Sequence, residues 1–185
     1  MAFTVVYDAC VLHPAPLRDL LIRIANTGLV RARWSDRILD ECFSSILERR
    51  PDLDPRALAR TRELMTEAVA DCLVTGYEGL IDGIELPDPD DRHVVAAAIR
   101  CGAQVVVTFN LADFPTDRLR CYNLEPQHPD DFVLDAIDLS PGTIVRAVEE
   151  QAASLRRPPV GLGSLLDTLR SAGLVQSVAR LRALF

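Results

Sequence analysis

Hydrophobic and polar positions are arranged along this chain with two different periods. Residues 3–7 (FTVVY) and 104–110 (QVVVTFN) are short, apolar and rich in β-branched side chains, which predicts buried strands. LVRARW at 29–34 is a third, shorter candidate for a strand. Because continuous apolar runs are typical of strands that are covered on both faces, we expect 104–110 to lie in a parallel sheet.

The segments between these strands carry apolar residues at every third or fourth position, which is the spacing of one helical face. Ser35 and Asp88 stand where helix caps are expected, and Pro55 stands at a first-turn position. The spacing predicts four helices, which cover 15–27, 36–49, 55–70 and 88–100. Residues 71–87 are expected to be irregular. This order of strands and helices predicts an α/β fold with three layers, in which helices flank a central parallel sheet.

The pattern changes after Pro129, where only helical spacing remains. The sequence RRPPVGLGS at 156–164 interrupts it, so about three short helices are expected in this part of the chain. We therefore predict an α/β domain over residues 1–128 and a helical C-terminal appendage over residues 129–185.

The composition is that of a protein with one sizeable core, since 49% of the 185 residues are hydrophobic. No run of roughly eighteen apolar residues is present, and the N-terminus lacks a basic segment, so we expect a cytoplasmic protein without a membrane span. The five cysteines are scattered, with no CxxC, which favours reduced, buried thiols. A zinc site at Cys10 and His13 would need two further ligands that the spacing does not supply.

All 20 basic residues are arginine, which excludes mechanisms that depend on a lysine, such as a Schiff base or a Walker A motif. The formal net charge is −7, and a protein of this charge repels nucleic acid at long range. The arginines of 31–62 are therefore the best candidates to contact a polyanion. Among them, Arg31 and Arg33 lie in the predicted strand that ends in Trp34, an aromatic residue suited either to base stacking or to the core.

Acidic and amide side chains follow the predicted strands and open the predicted helices. Asp8 ends the first strand, Asn110 and Asp113 follow the last, Glu41 lies two turns into a helix, and DPDDRH at 88–93 opens another. In parallel sheets the carboxyl ends of the strands and the beginnings of the following helices meet at one edge, where ligands bind. We expect these residues to gather at that edge.

Within DPDDRH the helical period separates the three aspartates. Asp91 shares a face with the apolar residues Val94, Val95 and Ala98, so it should point inwards, whereas Asp90 should point away. Two carboxylates about 5 Å apart repel each other by roughly 3 kcal/mol at an effective dielectric constant near 20. Such a group must take up protons, pair with arginine or hold a cation.

A site made of oxygen ligands favours Mg²⁺ or Mn²⁺, and these ions suit the hydrolysis of phosphate esters. Simpler interpretations remain open for each residue alone. Asp8 is compatible with an ordinary turn, Asp88 with a helix cap, and Glu41 with an ion pair to Arg37. The metal interpretation depends on the residues meeting at one edge.

Four motifs resemble those of the PIN-domain ribonucleases, particularly the VapC-like toxins of bacterial toxin–antitoxin pairs. They are VVYDACVL at 5–12, SDRILDE at 35–41, LPDPDDRHVVAAAI at 86–99 and VTFNLADFP at 107–115. The resemblance implies a PIN-like fold over 1–128, an endoribonuclease that uses Mg²⁺ or Mn²⁺, and silencing by a cognate antitoxin protein. It leaves a homodimer open and does not extend to a role for the helical appendage.

The resemblance also implies site residues. By position, the catalytic and metal-binding residues are Asp8, Glu41, Asp91 and Asp113. Many members of the family have an aspartate where this chain has Asn110, so the fourth ligand is either Asn110 or Asp113. Candidate contacts to the RNA substrate are Arg31, Arg33 and Thr108.

Two alternatives come from other functional classes. One is a catalytically silent PIN-like module that binds RNA or a protein. The other is a phosphatase with an acidic nucleophile, which would need a second aspartate at the position of Cys10 and a lysine that this chain lacks. We favour the metal-dependent endoribonuclease, in which water attacks the phosphorus and leaves a 5′ phosphate and a 3′ hydroxyl.

Overall fold

The computed structural model describes residues 3–156 and 159–185, and a parallel sheet lies at its centre. Within these ranges the sheet has four strands: β1 (Phe3–Tyr7), β2 (Val30–Arg33), β3 (Val105–Val107) and β4 (Glu125–Gln127). Their spatial order is β2-β1-β3-β4, and every neighbouring pair is parallel. The carboxyl ends of all four strands therefore lie at one edge, as the sequence predicted.

Ten α-helices surround the sheet in the described part of the chain. They are α1 (Ala9–Leu12), α2 (Ala15–Asn26), α3 (Asp36–Arg49), α4 (Pro55–Ala68), α5 (Arg92–Cys101), α6 (Thr116–Leu119), α7 (Pro129–Leu139), α8 (Pro141–Ser154), α9 (Leu162–Ser171) and α10 (Val175–Arg182). Three 3₁₀ turns cover Glu78–Gly83, Pro89–Asp91 and Arg120–Tyr122. The predicted α/β fold with flanking helices is confirmed.

Local signals place most of these elements within two residues of their predicted bounds. Ser35 caps α3, its hydroxyl accepting a hydrogen bond from Ile38 N at 3.2 Å. Asp88 caps the chain before α5, but it does so through Asp90 N at 2.9 Å, so that a 3₁₀ turn precedes the helix. The third predicted strand is shorter than its apolar run, because the chain leaves the sheet after Val107.

The fourth strand was not predicted. Glu125–Gln127 contains a proline and no β-branched residue, and it occupies an edge of the sheet, where a proline is tolerated. Its place is set by backbone bonds to the far side of β3, since Glu125 N donates to Gln104 O at 2.9 Å and Thr108 N donates to Gln127 O at 3.0 Å.

The C-terminal helices share the hydrophobic core of the sheet. Phe132 of α7 packs edge-on against Tyr7 of β1, with ring centroids 5.8 Å apart. Gln151 of α8 is buried, and its Nε2 donates to Pro16 O in α2 at 2.8 Å. Helices α7, α8 and α9 thus pack directly on the α/β part, and α10 packs on α7 and α9. The boundary at residue 128 stays a prediction.

The C-terminal region has four helices in its described part, one more than the sequence indicated. Of the interrupting sequence at 156–164, residues 157 and 158 lie outside the described residues. A buried carboxylate ties the region together: Asp130 at the start of α7 accepts hydrogen bonds from Gln176 N and Ser177 N, each 2.8 Å long. No helix in the described ranges is long and apolar enough to cross a membrane.

Candidate functional site

A cavity of about 390 Å³ opens at the edge of the sheet where β1 and β3 end. Four of the predicted site residues line it, and they come from four separate segments: Asp8, Glu41, Asp91 and Asn110. Its remaining walls are formed by Ala9, Cys10, His13, Pro14, Cys42, Ser45, Arg49 and Phe109. The expectation that these distant segments converge is therefore met. Asp113 is the exception, since it lies on the turn beyond Asn110 and does not line the cavity.

Asp8 is buried, and its carboxylate is held in place by neighbouring donors. Oδ1 accepts from Ala9 N at 2.7 Å, where Asp8 caps α1. Oδ2 accepts from Thr108 Oγ1 at 2.8 Å and from Cys10 Sγ at 3.1 Å. Because these bonds fix the side-chain rotamer, Asp8 is oriented towards the cavity before any ligand arrives.

Thr108 acts on the site from behind Asp8. Its side chain is fully buried, and its hydroxyl also accepts a hydrogen bond from Asn110 N at 3.0 Å. It therefore joins the ends of β1 and β3. Thr108 was predicted as a contact to the substrate. Its buried side chain is instead placed to hold Asp8 and is not exposed to a ligand in the cavity.

The carboxylate of Glu41 is held by two neighbouring side chains, His93 and Arg37. The fully buried His93 places Nε2 2.9 Å from Oε1 and 3.0 Å from Oε2. Arg37 Nε lies 3.3 Å from Oε1, so the predicted ion pair one helical turn away exists. This pair is exposed and contributes less than about 1 kcal/mol. The buried imidazole is thus the main restraint on the glutamate.

Asp91 has the most unfavourable environment of the acidic residues. Partial burial raises the pKa of its carboxyl to about 7, and the charges of Asp8, Asp88, Asp113 and Glu41 add to the increase. As the helical period predicted, Asp91 is half-buried while Asp90 is exposed. Near neutral pH the cavity therefore takes up a proton readily, and a cation placed there would relieve the same repulsion.

The acidic residues gather around the cavity without forming a tight cluster. In residues 3–156 and 159–185, no group of three or more His, Cys, Asp or Glu side chains is close enough to hold a metal ion directly. Burial is the main cause of the raised pKa of Asp91, and the charges of the neighbouring carboxylates add to it from longer distances than direct coordination needs. Mg²⁺ commonly binds only one or two carboxylates and keeps several water molecules. The oxygen donors present here therefore fit Mg²⁺ or Mn²⁺ bound partly through water.

The basic wall of the cavity differs from the one that the sequence indicated. Arg31 and Arg33 line a separate cavity of about 630 Å³ beside the edge strand β2. Trp34 is fully buried and stacks on Tyr7, as the core interpretation expected. Arg49 lies at the acidic cavity instead.

The sequence contained a signal for Arg49 that charge counting missed. Glu41, Ser45 and Arg49 are spaced four residues apart, so they share one face of α3, and all three line the cavity. His13 and His93 had no comparable signal. His13 lies in the short connection between α1 and α2, and the role of His93 depends on a partner 52 residues away.

The burial of Asp91 beside other carboxylates predicts an unusual pH dependence of stability. The folded protein binds a proton at about pH 7, whereas the unfolded chain does so near 3.8. In EDTA, this residue should therefore increase the free energy of unfolding as the pH falls through that window, by about 1–2 kcal/mol after allowance for solvent screening. Urea unfolding at several pH values, wild type minus Asp91→Asn, measures the contribution. Identical pH profiles for the two proteins would contradict it.

Comparisons with known proteins agree with this architecture. Residues 4–112, more than half of the chain, match the family described as PIN domain, and residues 129–183 match the family described as VapC50 C-terminal domain. A Mycobacterium tuberculosis protein described as "Putative ribonuclease VapC50" is 42% identical over 110 residues, which is 60% of this chain. The match spans 64% of the length of that relative. No solved structure matches the chain.

Proposed function

The chain belongs to the PIN-domain family, and from this membership we propose that it is a divalent-metal-dependent endoribonuclease. One observation carries the proposal. Asp8, Glu41, Asp91 and Asn110 line a single cavity, and the pKa of Asp91 is raised there to about 7. A partly buried carboxylate with a strongly raised pKa destabilises the folded protein, and such groups are found preferentially at functional sites. The relative's printed name, a ribonuclease, supports the same reaction class.

In the proposed site, Asp8, Glu41 and Asp91 hold a Mg²⁺ or Mn²⁺ ion. When bound, the ion would neutralise the phosphate oxygens and lower the pKa of a water molecule that attacks the phosphorus. Thr108 and Cys10 keep the Asp8 carboxylate in place through their hydrogen bonds. Asp91 would hold the ion through its ionised carboxylate, which the charge of a bound cation would favour.

Asn110 is the better candidate for the fourth ligand. It lines the cavity and is tied to Thr108, whereas Asp113 lies outside the lining residues. Asp113 contributes at longer range, through the charge that helps to raise the pKa of Asp91. An amide oxygen adds no negative charge, so it suits a site where carboxylates already repel one another.

Arg49 and His13 are the proposed contacts to the RNA backbone. Both line the same cavity as the carboxylates, and Arg49 forms no ion pair within the described ranges. His13 Nε2 is buried there without a hydrogen-bond partner among those residues. Arg31 and Arg33 belong to the other cavity, so they would contact only a strand that runs well beyond the cleavage position.

The biological role that we propose is that of a cytoplasmic toxin silenced by a cognate antitoxin protein. The support is the resemblance of the motifs to VapC-like toxins and the name of the relative. A homodimer belongs to the same proposal, and sedimentation of the purified protein tests it. Arrest of growth on induced expression, reversed by the product of a neighbouring gene, tests the toxin role.

Cleavage of RNA should depend on the metal and leave characteristic ends. We expect the purified protein to cut RNA with Mg²⁺ or Mn²⁺ and to stop cutting in EDTA. Because water is the nucleophile, sequencing of the fragments should find 5′ phosphates and 3′ hydroxyls. Cyclic phosphate ends, or cleavage that persists in EDTA, would refute the mechanism. Tight binding of RNA without cleavage would favour the silent module, and hydrolysis of phosphomonoesters alone would favour the phosphatase.

A further inference from the structure

A glycine of the C-terminal region packs against Phe109, one of the residues that line the acidic cavity. Gly173 lies between α9 and α10 with a φ of +104°, and the ring of Phe109 lies against its backbone. A Cβ atom added at Gly173 would lie 2.9 Å from Phe109 Cε1 and 3.4 Å from Cζ. The first distance is shorter than van der Waals contact, so this approach is open to glycine alone.

Phe109 belongs to the wall of the cavity on its other side. It lies between Thr108, which holds Asp8, and Asn110, which lines the cavity. Its backbone N donates to Cys10 Sγ at 3.3 Å. A displacement of Phe109 would therefore be transmitted to both strand ends that carry the site.

A second contact, from the residue that caps the first C-terminal helix, also holds the ring. His128 meets Phe109 edge-on, with centroids 5.2 Å apart. His128 is also the cap of α7, because its Nδ1 accepts from Asp130 N at 3.1 Å. Phe109 thus lies between the beginning of α7 and the turn that precedes α10.

We propose that the C-terminal helical region supports the wall of the catalytic cavity from behind and, through Gly173, positions Phe109 and Asn110. Gly173 is a positioning residue in this proposal, since it acts through Phe109. The inference rests on the proposed nuclease function for its kinetic consequence, but the contact itself does not depend on it. It gives the C-terminal region a role in cleavage that goes beyond stability.

The proposal is tested by a double-mutant cycle between Gly173→Ala and Phe109→Leu. Leucine lacks the Cε1 and Cζ atoms that the added methyl group would meet. Because a misplacement of about 1 Å can cost a hundredfold in rate, we expect Gly173→Ala to lower kcat/KM by roughly ten- to a hundredfold. In the Phe109→Leu background the same substitution should cost less than about threefold.

Gly28→Ala is the matched control. Gly28 also has a positive φ, +79°, but a Cβ there would meet nothing within 4 Å. It carries the backbone strain of the substitution without the contact, and we expect kcat/KM to stay within about twofold of wild type. The melting temperature of every variant is measured, so that lost stability is separated from lost activity.

A readout without activity completes the test. In the metal-free protein, Gly173→Ala should shift the backbone amide resonances of Phe109 and Asn110, and Gly28→Ala should not. Equal costs of Gly173→Ala in both backgrounds, or unchanged resonances, would overturn the proposal. If Gly173→Ala fails to fold, folding of the double variant supports the contact, and its failure overturns it. If the wild type cleaves no RNA but the resonances shift, the proposed nuclease function is wrong, whereas the contact through which Gly173 positions Phe109 is supported.

Discussion

Asp91→Asn should reduce kcat/KM for RNA by on the order of a hundredfold or more and, in EDTA, make the protein more stable. Asparagine has the same shape but removes the charge, so the site loses both a cation ligand and the carboxylate that is repelled most strongly. Burial, together with the charges of the neighbouring carboxylates, raises the pKa of Asp91 to about 7. Above that pH the substitution should increase the free energy of unfolding by about 1 kcal/mol, after allowance for solvent around a half-buried group.

The two measurements together distinguish a functional site from a structural one. Mg²⁺ should raise the melting temperature of the wild type and have little effect on Asp91→Asn. Asp90→Asn is the control. It removes the same charge at the neighbouring position, where the side chain is exposed and lies outside the cavity. Full activity of Asp91→Asn, or an equal loss in Asp90→Asn, would refute the assignment of Asp91.

Much of the fold could be predicted because its signals are local. The β-branched runs marked β1 and β3, and the apolar spacing with Ser35 as cap marked α3. The fourth strand could not be found in this way. Glu125–Gln127 has no β-strand signal of its own, and its pairing partners Gln104 and Thr108 lie some 20 residues earlier in the chain. Its position follows from the completed sheet.

The site could be predicted as far as topology determines it. The rule that ligands bind at the carboxyl edge of a parallel sheet brought Asp8 and Asn110 together, and the helical period turned Asp91 inwards. The residues that hold these ligands in place were not visible. His93 looks like one more polar residue of DPDDRH, and only the tertiary fold places its imidazole beside Glu41.

The number of arginines in a segment was the weakest basis for predicting contacts to the substrate. A cluster of arginines in the sequence says nothing about its distance from a cavity. Arg31 and Arg33 are on an edge strand and line another cavity, whereas Arg49 lies two turns from Glu41 on the same helical face. For that reason we propose Arg49, and not Arg31 or Arg33, as the contact to the RNA backbone near the acidic residues.

The largest loss of stability is expected for Asp130→Ala. The buried carboxylate accepts the backbone N–H groups of Gln176 and Ser177, which lie in the first turn of α10 and have no partner within that helix. Because both bonds are charge-assisted and their removal leaves one buried and one partly buried donor without a partner, we expect a loss of roughly 2–4 kcal/mol. Thermal unfolding should show a midpoint lower by roughly 5–15 °C.

Asp131→Ala is the control for Asp130→Ala. It measures how much an acidic side chain in the first turn of α7 contributes to stability without the hydrogen bonds to α10. Asp130 and Asp131 are both in the first turn of α7, but Asp131 is exposed and has only a 3.5 Å contact to the Gln176 side chain. Its substitution should cost less than about 0.5 kcal/mol. Similar losses for both variants would show that α10 is not held by Asp130. If the C-terminal region positions Phe109, Asp130→Ala should also lower kcat/KM at temperatures at which the variant is still folded. The reason is that Gly173 lies just before the first turn of α10, which this carboxylate holds in place.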